Sequence, residues 1–262
     1  MSKKHRTVPA PGTIRDYLAF AREKEAEAAL AEAKIKLVLA VPRTREPIAQ
    51  FEDSLVGMWT PPDTVSPRIY GYRIDWARNT LVKMAREEGA THICFLDDDQ
   101  SYQWDHIKKL LARKVPVVNC VVQRRGEPHD PMAGYYSKDD GHAIPISMDD
   151  WNSKGLVEVE YMSTGGMLID MDVFNHIDMR DNFWAFAFPY CREGGEDTFF
   201  CKLCHNAGIP VYVDTSFSST HYKWTAVTPN MWEGWLKDHE YGSLLFERGD
   251  DAPATPNVRK EQ

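Results

Sequence analysis

The chain has no apolar run approaching the roughly 20 residues needed to cross a bilayer, so no membrane-spanning helix is expected. Its opening stretch, Met1 to Arg6, is basic, but no apolar segment follows, which excludes a secretory signal from the reading. Cysteine is scarce and odd in number: Cys94, Cys120, Cys191, Cys201 and Cys204. Five thiols with no export signal exclude a disulfide framework and make the cytoplasm the expected location. Positive charge is in deficit, with 31 Lys and Arg against 39 Asp and Glu, a formal charge of −8 and a pI near 5.6. That balance argues against a general nucleic-acid-binding surface, which needs a basic face. Internal repeats and low-complexity tracts are missing too, so a repeat architecture is not expected. What is present, 262 residues at 43% hydrophobic and 27% charged, is enough for one large domain or two small ones.

Hydrophobic periodicity orders the chain. Residues 1–12 are polar and Pro-bearing. Thr13 to Lys34 is rich in Ala, Glu and Leu and predicts a helix, packed on the core or on another subunit, the second case giving a homo-oligomer. Ile35 to Val41 predicts a buried strand closed by Pro42. A helix follows over 48–58, then a Pro-bearing loop over 60–67 and a short strand over 68–70. A helix over 74–87 presents Ile74, Ala77, Leu81 and Met84 on one face and stops at Gly89. Strand 91–96, helix 104–113 and strand 116–122 complete an alternating βαβ pattern, which predicts a mainly parallel, Rossmann-like sheet.

Beyond Gln123 the stretch 124–155 is loop-rich, with a short strand over 132–136. Residues 156–162 alternate apolar and polar, as one half-exposed strand does. A turn at Ser163 to Gly166, a strand over 167–170 and a short helix over 171–177 follow. An aromatic loop (Phe183, Trp184, Phe186, Phe188) leads to a helix over 197–207 stopped by Gly208, a strand over 210–213 and a last helix near 230–246.

The chemistry concentrates where strand 91–96 ends in Asp97, Asp98 and Asp99. Three adjacent carboxylates resist burial and call for solvent, cations or a metal. If the extended chain continues, Asp97 and Asp99 share a side and Asp98 diverges. Hard divalent ions such as Mg²⁺ and Mn²⁺ prefer such oxygens and share them with substrate phosphates. In parallel sheets ligands gather at the strands' carboxyl ends, where this triplet falls. A solvated acidic loop is the plainer alternative. Cys201-Lys-Leu-Cys204-His205 matches a haem-attachment string, which a helical setting and the lack of an export signal exclude. Cys191, Cys201, Cys204 and His205 are nominally enough for a zinc site, with plain helix packing the simpler account.

Several motifs occur in an order that resembles the GT-A glycosyltransferases, in particular small family-2-like members common in bacteria and bacteriophages. They are Ala77-Arg78-Asn79, Phe95 to Asp99 as a DxD motif, Thr164-Gly165-Gly166 to Ile169 with Val173-Phe174, Gly195-Glu196-Asp197 with Phe200-Cys201, and Gly208 to Asp214 with His221. The resemblance covers about residues 35–222 and implies a single GT-A domain over 35–228, with N- and C-terminal extensions at 1–34 and 229–262. It also implies the host cytoplasm as location if the gene is a phage's.

The resemblance implies a nucleoside diphosphate sugar as donor, UDP-sugar favoured, and Mn²⁺ or Mg²⁺ against the departing diphosphate. It assigns Asp99, His221 and Asp97 as metal ligands, with Asp97 also a candidate for the nucleotide ribose and Asp98 beside it. Pro42 and Thr44 fall where relatives hold the base, Gly165 and Gly166 along the donor pocket, Arg78 and Lys223 as cations toward the nucleotide. Asp197, with Glu196 beside it, resembles the base of inverting relatives. A helix N-terminus favours charged carboxylates, so Asp197 becomes a useful base only if partly buried. Trp151, Trp184 and Phe186 serve either as stacking faces or as core. The acceptor is open: a glycan, a small molecule or a modified nucleic-acid base. The insert at 124–155 departs from the family's pattern. A nucleotidyltransferase, or an inactive binding protein of the same fold, are the rival readings; the first would want a Gly-rich basic loop, which Pro42-Arg43-Thr44-Arg45 only half supplies.

Overall fold

Leu37 to Arg43 is buried at every position and forms β1. A strand reads as continuously apolar when both its faces are covered, and its side chains divide accordingly. Val38 and Ala40 enter one core, and Leu37, Leu39 and Val41 the other. The computed structural model describes residues 34–43, 47–126, 129–178, 184–187 and 195–223. The expected N-terminal helix and the helix near 230–246 lie outside them.

The elements run β1 (Leu37–Arg43), α1 (Ala49–Gly57), β2 (Arg68–Tyr70), α2 (Ile74–Glu87), β3 (His92–Phe95), β4 (Gln100–Ser101), α3 (His106–Ala112) and β5 (Val117–Val121). They continue with β6 (Ala133–Tyr136), β7 (Ala143–Pro145), α4 (Met148–Ser153), β8 (Leu156–Glu158), β9 (Tyr161–Met162) and β10 (Leu168–Asp170). The series closes with α5 (Val173–His176), α6 (Glu196–Asn206), β11 (Tyr212–Ser218) and β12 (Thr220–His221).

Seven strands form the central sheet in the order β2-β1-β3-β10-β5-β11-β8. β2, β1, β3, β5 and β11 run one way, and β10 and β8 run against them. Leu81, Val82 and Ala85 of α2 with Phe200, Cys201 and Cys204 of α6 cover one face. Phe51 of α1 with Ile107, Leu110 and Leu111 of α3 covers the other. The result is the mainly parallel, helix-flanked α/β fold expected from the sequence. The chain divides into two compact units, Met1–Tyr222 and Lys223–Gln262. No helix among the described residues is long and apolar enough to cross a membrane.

Four local expectations are corrected. Pro42 lies within β1 instead of closing it. The amides of Leu39 and Val41 point toward β2's side, so position 42 turns its missing N–H to β3's side, beyond the last pair Ala40–Phe95. Met84 is partly exposed, and the buried stripe of α2 runs through Ala77, Leu81, Val82 and Ala85. Residues 156–162 are two strands, because the amide of Val159 donates to Val211 in the large sheet and that of Glu160 to Gly134 in the small one. Alternation fixes which way side chains face, and leaves the partner open. Finally, 124–155 is built: β6 pairs with β7 and β9 in a three-stranded sheet, and Ser147 and Asp150 form a capping box for α4.

Candidate active site

The chain leaves β3 at Phe95 and turns at Asp98 and Asp99, so the three carboxylates fan out. The Gln100 amide donates to the Asp97 carbonyl (3.3 Å), and the Asp97 amide donates to the Tyr102 hydroxyl (2.8 Å). The expected sharing of one side by Asp97 and Asp99 therefore fails, because extended geometry ends at the strand. Asp98 is buried and its carbonyl accepts the amide of Ile48 (3.3 Å).

Asp97 belongs to a buried charge cluster centred on Arg78, which α2 delivers at 3% exposure. Its guanidinium donates to Asp97 Oδ1 (2.9 Å) and to Glu196 Oε1. Burial pulls the Arg78 pKa down, but Asp97, Glu196 and Asp197 together outweigh it and the net direction is up. The next residue, Asn79, accepts the amides of Ala185 (2.8 Å) and Phe186 (3.0 Å) and donates to the Phe186 carbonyl. Phe186 stacks on Phe200 at 4.8 Å and is fully buried, so it is core and not a stacking face. Trp151 is half-buried against the core, with Lys154 over its ring at 4.3 Å.

Asp99 keeps different company. Arg125, which sequence reasoning missed, donates to its Oδ2 at 2.8 Å. β12 pairs antiparallel with β4, setting His221 opposite Gln100, and this ribbon brings His221 Nε2 to 3.5 Å from Asp99 Oδ1. His221 Nδ1 lies 2.9 Å from the Gln123 carbonyl. A carbonyl only accepts, so Nδ1 carries the proton and Nε2 faces the carboxylate. An imidazole oriented through its far nitrogen is what metal ligation requires. The Asp99 oxygen suits Mn²⁺ or Mg²⁺ when substrate phosphates complete the shell, and the His221 nitrogen makes Mn²⁺ the better match of the two. Asp97 does not join them, and no group of three or more His, Cys, Asp or Glu able to hold a metal occurs among the described residues.

The turn after β9 forms the opposite wall. Asn119 of β5 donates to the carbonyls of Ser163 (2.8 Å) and Gly165 (3.0 Å), and His106 of α3 donates through Nε2 to Gly166 (2.9 Å). Burial lowers the His106 pKa to about 4, which keeps it neutral. Gly166 has φ +93, and a Cβ at Gly165 would sit 2.1 Å from Gln100 Nε2 and 2.7 Å from Asp97 Oδ2. Gly165→Ala is therefore expected to displace Asp97 and cost about 1–3 kcal/mol, read as a lower urea midpoint at unchanged slope. An unmoved midpoint would mean that the turn has room to spare.

Glu196 and Asp197 open α6 and part company. Glu196 is buried on Arg78; its pKa is raised, burial first, with Arg78 opposing. Asp197 accepts the Thr198 amide (2.8 Å) and lines a cavity of about 710 Å³ together with Thr198, Ser163, Tyr136 and Tyr161. Burial also raises its pKa, against the pull of Arg78 and the Thr198 amide. The helix N-terminus thus loses to desolvation, and Asp197 is a stronger base than an exposed aspartate.

Of the other expected residues, Pro42 is buried within β1 and Thr44 lies outside the described residues. Lys223 is exposed and is the first residue of the second unit. Cys191 is also outside. Cys201 and Cys204 are buried in α6, burial holding the Cys201 thiol up at about 12, and His205 Nε2 pairs with the Val159 carbonyl (3.2 Å). Cys201, Cys204 and His205 thus form no metal cluster, and packing accounts for both thiols.

No family model matches the chain, and no curated protein matches it. Solved structures do. Protein A197 from STIV aligns with a TM-score of 0.51 at 15% identity over 72% of this chain and 87% of its own. GalNAc-T7, solved with UDP, GalNAc and Mn²⁺, gives 0.53 at 11% identity over 76% of this chain and 46% of its own, so the chain spans about half that protein. TarS 1-349 from S. aureus, in complex with UDP-GlcNAc, gives 0.47 at 14% identity over 74% and 60%. The fold is the one the GT-A enzymes use.

Proposed function

We propose that this chain is a metal-dependent glycosyltransferase that moves a sugar from a nucleoside diphosphate sugar, UDP-sugar favoured, to a hydroxyl acceptor with inversion at the anomeric carbon. The observation that carries this reading is the division of labour within one group of carboxylates. Asp99 is set beside His221, Asp97 and Glu196 are locked on Arg78, and Asp197 faces a cavity. A merely solvated acidic loop has no need of that sorting. The fold shared with GalNAc-T7, solved with UDP, GalNAc and Mn²⁺, supports the same reading.

Asp99 and His221 would hold Mn²⁺ or Mg²⁺, which when bound offsets charge on the leaving diphosphate. The turn at Gly165 and Gly166 is buried, and the absence of side chains there makes room for Gln100, Asp97 and Asn119, so it shapes the donor side through the placing of Asp97. Asp197 takes the proton from the acceptor hydroxyl as its oxygen bonds to the anomeric carbon and the bond to the diphosphate breaks. Arg78 and Glu196 are positioning residues that fix where Asp97 and the start of α6 stand. A nucleotidyltransferase would want a basic loop after β1; Arg43, the last residue of that strand, is buried, pairs with Glu52 and lies over Phe51 and Tyr70, and Arg45 lies outside the described residues.

The test is calorimetric titration of UDP, GDP and other nucleoside diphosphates with and without Mn²⁺. UDP is expected to bind only with metal, and Asp99→Ala or His221→Ala to weaken it about tenfold or more. A folded protein that binds no nucleotide under any metal condition would remove the transferase reading and favour a binding protein.

A further inference from the structure

The cavity over Asp197 has walls that the 124–155 insert supplies, and their chemistry selects an occupant. Tyr136 ends β6 and Tyr161 opens β9; their rings lie 5.3 Å apart at 46° to each other. Two inclined aromatic faces make a corner that suits a flat apolar surface. Met132, half-buried in the wall, extends it with a soft apolar contact. Around this corner stand Asp197, which only accepts when ionised, the hydroxyl of Ser163, which donates and accepts, and that of Thr198, which gives its proton to the Gly195 carbonyl (2.8 Å) and accepts. Burial holds the Tyr161 phenol up at about 12 and raises that of Tyr136 as well, so both remain donors. Apolar walls with a few convergent polar groups, at about 710 Å³, are the form of a small-molecule site.

Charge narrows the class. Arg124 is the one Lys or Arg among the described lining residues, and Asp130 pairs with it at 3.0 Å. Arg125 is engaged with Asp99 (2.8 Å). Glu160 accepts the Tyr136 amide at 2.5 Å and adds negative charge behind the wall. A nucleic acid is bound chiefly through cations on its phosphates, and a phosphorylated acceptor has the same need.

We infer that this cavity takes the ring of an uncharged sugar, so that the acceptor is a neutral glycoside. The apolar face of the ring lies on Tyr136 and Tyr161, and its hydroxyls meet Asp197, Ser163 and Thr198. This rests on the transferase reading above for the word acceptor, though the cavity's preference for a neutral ring stands apart from it.

Saturation-transfer NMR on the full chain tests it, with UDP and Mn²⁺ present. The probes are methyl glycosides of glucose, galactose and N-acetylglucosamine, with glucose 6-phosphate and an oligothymidylate as anionic comparators. At least one neutral glycoside is expected to bind, with transfer strongest at its ring C–H protons, and neither anion to bind. Tyr136→Ala is expected to weaken the glycoside about tenfold, and Tyr136→Phe to keep it within about threefold, since the ring face is retained. UDP binding, titrated separately, is expected to be the same in both variants. The proposal is overturned if no neutral glycoside binds, if either anion binds more tightly, or if Tyr136→Ala binds the glycoside unchanged. Glycoside binding without UDP binding would keep the sugar cavity and remove the transferase reading; UDP binding without glycoside binding would do the reverse.

Discussion

Asp197→Asn is expected to lower transfer about 10²–10⁴-fold while leaving metal-dependent UDP binding in place. Asp197 lines the cavity and takes no part in the Asp99–His221 pair, so its removal deletes a base and spares the donor side. The pH profile gives an independent check. A base acts only when deprotonated, so the rate falls as pH drops through its pKa. Burial raises that pKa from the ordinary aspartate value, and the acid limb of kcat/KM should be displaced upward in the same direction. Glu196→Gln should not remove that limb, because Glu196 faces Arg78. If Asp197→Asn retains near-normal turnover, another group is the base and the assignment fails.

The second large effect falls on stability. Arg78→Met is expected to destabilise the fold by about 3–5 kcal/mol, as removing one member of a buried ion cluster does. For a chain of this length that is on the order of a 10 °C fall in Tm. The cost arises because Asp97, Glu196 and Asp197 lose the cation that offsets their burial. Without it, Glu196 and Asp197, whose carboxyls burial already holds up, become harder still to ionise in the folded protein. The folded protein then binds more protons than the unfolded chain, and stability falls as pH rises through the carboxylate range. The deficit against the unaltered protein should therefore shrink in acid. Arg78→Lys should recover only part of it, since one ammonium cannot span two carboxylates as the guanidinium fork does. A urea series at pH 4.5 and pH 7.5 decides it, and equal losses at both would mean that packing matters more than charge.

Much of this was legible in the sequence, for identifiable reasons. The strands at Leu37, His92 and Val117 were readable because burial on both faces leaves a continuous apolar run. α2 ran from Ile74 to Glu87 as periodicity predicted. Asp99 stood out because a run of carboxylates at a strand end needs a reason to be there, whereas His221 and Asp197 were marked by the resemblance to GT-A enzymes. Contacts that depend on three-dimensional closure did not stand out. Arg125 reaches Asp99 across 26 residues, and Arg78 spans 118 residues to Glu196. No local pattern encodes such pairs. The tyrosine corner was hidden for a different reason: the strands over 132–136 and 156–162 were readable, but nothing local says that β6 and β9 pair, and the short β7 read as loop. The Ser147–Asp150 capping signal was there to find, and it marks α4.

The switch of sheets at Val159 and Glu160 has a consequence for how this protein can change over evolutionary time. One amide is committed to Val211 and the next to Gly134, so an inserted or deleted residue there would invert every side chain of β9 and turn Tyr161 away from the cavity. The hairpin tip between Tyr136 and Ala143 carries no such constraint, since exposed hairpin loops tolerate changes in length. Descendants of this sequence can therefore lengthen, shorten or recharge that tip at small cost. The hairpin side of the cavity's rim is freer to diversify than the β9 side that carries Tyr161.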